Sequence, residues 1–174
     1  MKNLYLFILS LVIVSCIASC KKSAESTPID FTQYTTTDEQ DNVIGTPDAS
    51  DWTIDTLWST RESNLLLFKD TVKLTDSVAG LVEVSPAFPN PADSILFVGI
   101  NTERQCKLKY AFVNTDFEIL SFGSRKMFGG PIVTSYNLAA STSFHKDAYY
   151  RMYYAFYVAG DSLIYRGHGD IKIP

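Results

Sequence analysis

Two histidines, three cysteines and a dense run of tyrosines are the residues through which this chain could do chemistry. Nucleophilic catalysis needs a serine or cysteine beside a histidine that a carboxylate orients. His145 and His168 are available for that role, and neither sits in a nucleophile motif. His168-Gly169-Asp170 puts an imidazole near a carboxylate, but the segment reads more simply as a turn with a hydrogen-bonding aspartate. His145 with Asp147, and His168 with Asp170, repeat one i, i+2 spacing, so a metal set is conceivable if folding joins the pairs. Gly129-Gly130 lacks the Lys-Ser/Thr and the following helix of a phosphate loop. The residues thus point to no catalytic group, no metal and no cofactor, and we read the chain as a non-enzyme.

Binding has a better lead. In Ala148-Tyr149-Tyr150-Arg151-Met152-Tyr153-Tyr154-Ala155-Phe156-Tyr157-Val158 a period of two divides the side chains between two faces. Tyr149, Arg151, Tyr153 and Tyr157 share one face; Tyr150, Met152, Tyr154, Phe156 and Val158 share the other. Flat rings beside a guanidinium can stack on a sugar or a peptide. The competing reading is that this face lines the interior or is covered by residues 52–68. Cys106, on a strand, reads as a buried structural thiol rather than a reactive one.

These residues need a scaffold, and the N-terminus says where it is delivered. Lys2 precedes an apolar run from Leu4 to Ile17, which has the pattern of a signal peptide over residues 1–19. It is shorter than the roughly 20 apolar residues of a spanning helix and ends in Lys21-Lys22. Ile17-Ala18-Ser19-Cys20 places small residues before a thiol that can take a diacylglyceryl group. Ile13-Val14-Ser15-Cys16 offers a second small residue before a thiol, less favoured because the apolar stretch runs on through Ile17. Acyl chains contribute about 0.8 kcal/mol per buried CH₂, so several would hold the protein on a membrane. Residues 20–50, rich in Ser, Thr, Asp, Glu and Pro, are expected to be a mobile tether. Such a coil of ~30 residues spans roughly 30 Å.

The remaining 51–174 should be one domain. Ser59 and Glu62 have capping-box spacing for a short helix to Leu67. Thereafter short apolar or alternating runs are broken by Ser85-Pro86-Ala87-Phe88-Pro89-Asn90-Pro91, Asn114-Thr115-Asp116, Gly129-Gly130-Pro131 and Ala159-Gly160-Asp161. About seven to eight such strands indicate an all-β, antiparallel sandwich of immunoglobulin-like type. Scattered Lys and Arg and a net charge of −4 exclude a nucleic-acid surface.

Phe88-Pro89-Asn90-Pro91-Ala92 before a strand, Lys109-Tyr110-Ala111-Phe112-Val113 and the closing Ile171-Lys172-Ile173 resemble the C-terminal sorting domains of type IX secretion over residues 82–174. Ile17-Ala18-Ser19-Cys20 resembles the bacterial lipobox, which implies cleavage before a lipidated Cys20. Asp51-Trp52, the Pro-Asn-Pro loop, Tyr150 to Tyr154 and Gly167 to Ile171 are similar to segments of small bacterial lipoproteins. The expectation is therefore an outer-membrane lipoprotein with a non-enzymatic binding or structural module, whose partners are the membrane and an envelope protein or glycan. The alternative is an accessory or vestigial sorting-like domain that contacts secretion machinery. Lys21-Lys22-Ser23, without acidic residues, favours the periplasmic side over the surface.

Overall fold

The computed structural model describes residues 27–68, 74, 82–158 and 162–174. The expected signal segment, Cys16, Cys20 and the Ala159-Gly160-Asp161 turn lie outside the described residues. Among those described, eight strands form: Thr53–Ile54 (β1), Val82–Val84 (β2), Ile95–Thr102 (β3), Cys106–Val113 (β4), Ile119–Met127 (β5), Gly130–Asn137 (β6), Ala148–Tyr157 (β7) and Leu163–Ile173 (β8). They build two antiparallel sheets, ordered β1-β8-β7-β4-β5 and β2-β3-β6, so the all-β sandwich expected from the sequence is present. Strands β5 and β6 are consecutive in the chain, and each ends its sheet.

The breaks act as anticipated. Asn114 Oδ1 accepts from the backbone N–H of Asp116 and of Glu118, both at 3.0 Å, which closes the β4–β5 turn. Gly129 and Gly130 adopt φ of 91° and 83°, a region open to glycine because no Cβ meets the backbone there. The helix Thr60–Asn64 (α1) carries the expected capping box, with Ser59 accepting from Glu62 N–H and Glu62 accepting from Ser59 N–H. It stops at Asn64, short of Leu67.

Inside the sandwich, Leu96, Val98, Leu108, Phe112, Met152 and Phe156 are all but fully buried. The opposite face of the larger sheet is also dry. Leu65, Leu66 and Leu74 lie over Ala111, Val113, Tyr153, Ala155, Tyr157 and Leu163, forming a second cluster under an irregular covering layer. A fully buried leucine such as Leu66 contributes about 1.5–3 kcal/mol. Both faces of β7 and β8 are therefore covered, which is why β7 carries rings on each side.

The tether expectation is corrected over its described part. Residues 34–50 fold back on the sandwich rather than standing free of it. Thr37 pairs with Val43 and Asn90, and its hydroxyl donates to Ala87 O at 2.6 Å. Thr35 N–H donates to Asp51 Oδ2 at 2.8 Å, and both threonines are buried. Ile29 is buried as well. Composition marked this stretch as unable to bury apolar surface, but buried hydrogen bonds to the domain hold it instead.

Candidate functional site

The tyrosine face of β7 is assembled by its pairing with β4 and β8 and by the layer above it. Tyr153 is fully buried: Trp58 meets it edge-on at 5.5 Å, Phe117 stacks on it at 6.1 Å, and its hydroxyl lies 3.1 Å from Glu62 Oε1. Burial raises the phenol's pKa above its ordinary value. Tyr157 is buried as well, with Lys107 and Lys109 ammonium groups 5.6 and 5.7 Å from its ring. Of the two readings of this face, the covered one holds at Tyr153 and Tyr157, which residues 58–68 help to bury, and the contiguous ligand face is corrected there. Arg151 is engaged by Asp170 through two contacts, at 2.5 and 2.7 Å. Tyr149, like Arg151, is half-buried rather than buried.

Two strand cations fasten the covering layer. Lys109 is fully buried, and its Nζ donates to Leu66 O at 3.2 Å and Phe68 O at 2.6 Å. Arg166 is likewise buried and donates to Asp55 O, Thr56 O and Leu74 O. Charge-assisted bonds of this kind satisfy backbone carbonyls that lack a ladder partner. Asp55 receives Trp58 Nε1 at 2.7 Å and faces His168 Nδ1 at 2.8 Å. Among the described residues no serine, threonine or cysteine hydrogen-bonds His168. His145 has other neighbours, its N–H donating to Tyr150 OH at 2.6 Å. No group of three His, Cys, Asp or Glu residues is placed to hold a metal among the described residues. Cys106 is buried, and burial raises its thiol's pKa.

Asp51, the first residue of the domain and half of the Asp51-Trp52 likeness, is buried. Its carboxylate accepts from Asp170 N–H at 2.6 Å as well as from Thr35. Burial pushes it up to about 6, against the pull of those N–H donors and with added repulsion from Asp170. Between the unfolded value of 3.8 and about 6, the folded chain holds a proton that the unfolded chain has released. Stability from this group is thus greatest near pH 4 and falls as pH rises through 6. Urea unfolding should show wild type gaining on the order of 2 kcal/mol relative to Asp51→Asn between pH 7 and pH 4. A difference between the two that stays flat, or shrinks on acidification, would contradict this.

The open part of the site lies at one end of the sandwich. A cleft of about 630 Å³ is lined by Asn114, Glu118, Thr142, Ser143, His145 and Tyr149, among others. Tyr149 is set in its wall by Phe31, stacked at 5.9 Å, by Tyr34, edge-on at 5.6 Å, and by Lys172 5.5 Å from its ring. Hydroxyl, amide, imidazole and carboxylate groups around an aromatic wall suit a neutral polar ligand. Sequence reasoning found Tyr149 by strand period, but missed the cleft, because its lining comes from two turns distant in sequence.

The chain has no significant match among protein-family models, curated proteins or solved structures.

Proposed function

We propose that this chain is a lipid-anchored module of the cell envelope whose sandwich binds an envelope glycan or protein and performs no catalysis. The anchor is Cys20, and the location is the outer membrane, on its periplasmic side. The cleft beside Tyr149 carries the reading, because it gathers hydrogen-bonding side chains from both turns around a partly exposed ring. Elsewhere on this face the rings and charges already serve the covering layer. A glycan is the ligand class that the lining suits best, since hydroxyl, amide and imidazole groups can exchange hydrogen bonds with sugar hydroxyls.

Titration of purified protein with fragments of envelope glycans tests this. Tyr149→Ala should weaken binding by about tenfold while leaving the unfolding midpoint close to wild type, and Tyr149→Phe should retain most of the affinity. Unaltered binding by Tyr149→Ala would remove the cleft from consideration.

A further inference from the structure

The place where residues 27–29 are fastened sets which end of the sandwich lies nearer a lipid on Cys20. Ile29 N–H donates to Thr115 O at 2.8 Å. Arg61 donates to Asp116 O at 2.6 Å and to Thr27 O at 3.4 Å. Residues 27–29 are therefore fastened beside the β4–β5 turn. The same end holds the start of β7 and the end of β8, which pair as Ala148 with Ile173, and the loop that leads from β6 into β7.

Seven peptide steps separate Cys20 from Thr27. Covalent geometry allows at most ~3.3–3.6 Å per residue, so this stretch spans no more than about 25 Å whatever its conformation. A tether that ran freely to residue 50 could have reached several times farther. The opposite end, at the β3–β4 and β5–β6 turns, lies roughly the length of a strand from residues 27–29. For the 11 residues of β8 this is about 35 Å.

We propose that the sandwich stands end-on to the lipid headgroup layer, with the 114–118 turn and residues 138–147 as its membrane-proximal face. The Tyr149 cleft then lies at the membrane end of the domain. This orientation rests on the lipid-anchor reading above. Asp93, Asp116, Glu118 and Asp147 are exposed at this end, against Lys146. Attraction to anionic lipid does not hold the face there. The covalent leash does, and its hold is independent of salt.

The test uses the full-length lipidated protein in vesicles containing phosphatidylethanolamine and phosphatidylglycerol, some headgroups carrying a spin label. A fluorophore is placed on Asp116→Cys or on Glu103→Cys; both positions are exposed, and Cys106 is buried. Headgroup quenching should be several-fold stronger at position 116 than at 103, at low and at high salt. Inserting a Gly/Ser stretch of about 20 residues between Cys20 and Thr27 should abolish most of that contrast. Equal quenching at the two positions, or stronger quenching at 103, would overturn the orientation. Mass spectrometry of the same samples separates the two ideas. An acylated Cys20 with no positional contrast refutes the orientation alone, whereas an unmodified Cys20 refutes the anchor and with it the orientation.

Discussion

Gly169→Ala should destabilise the domain by about 3 kcal/mol or more, a large effect for one methyl group. Gly169 lies in β8 opposite Met152, and the Trp52 indole rests directly on it. A Cβ built there would stand 2.2 Å from two ring carbons, a separation that no rotamer change of alanine can relieve. The indole has little room to retreat, because it is buried and stacks on Tyr154 at 6.0 Å, which stacks in turn on Tyr165 at 6.2 Å. Trp52 itself sits at φ 59° with its N–H bonded to His168 O at 2.9 Å, so β1 would have to move with it. Urea unfolding should show the lowered midpoint, and tryptophan emission should shift to the red in the native state. A variant within about 0.5 kcal/mol of wild type would mean that the indole does not occupy this place.

Asn90→Ala should cost a comparable amount, about 4 kcal/mol, by a different route. The side chain is fully buried in the Pro-Asn-Pro loop. Its Nδ2 donates to Thr35 O at 2.9 Å and Asp170 O at 2.8 Å, and its Oδ1 accepts from Lys172 N–H at 3.0 Å. Truncation strands three backbone groups, and each unsatisfied group costs about 1–3 kcal/mol. Asn90→Asp keeps the shape and the acceptor but turns a carboxylate toward two carbonyl oxygens, so it should be no milder. Hydrogen exchange adds a local signature: amides from Thr35 to Thr37 should lose protection first, since Asn90 also exchanges backbone bonds with Thr37. Intact protection there, with stability unchanged, would remove this joint from the account of the fold.

The sandwich was legible because its interruptions are chemically explicit. Prolines cannot donate to a ladder, Asn114 closes its own turn, and Gly129-Gly130 supplies positive φ, so strand boundaries follow from residue type. The capping box was legible for the same reason, being purely local. What escaped were features that depend on a third layer. Alternation along β7 separates two faces but cannot say whether water or another segment meets each of them. Tyr153 and Tyr157 were therefore open to two readings, a binding surface or a face covered by residues 52–68, and residues 58–68 do lie over them. Lys109 and Arg166 escaped likewise, since a cation in a strand ordinarily marks the wet side. Here it marks where carbonyls of an irregular layer needed donors. The Asp51 contacts were out of reach because Thr35 and Asp170 stand on either side of it at long separation.

The adjoining free margins of the two sheets, β5 and β6, carry a consequence for crowding. If the chain is lipid-anchored as proposed, copies confined to a bilayer plane would collide in fixed orientation, and a strand with one open side invites a neighbour to add to it. Phe122, Phe128 and Val133 are more than half exposed along these margins and would reward such stacking. Arg125 and Lys126 near the end of one strand, and Pro131 near the start of the other, interrupt the template with like charge and a missing donor. Guarding against self-assembly is thus written into β5 and β6, two of the four strands that end a sheet among the described residues.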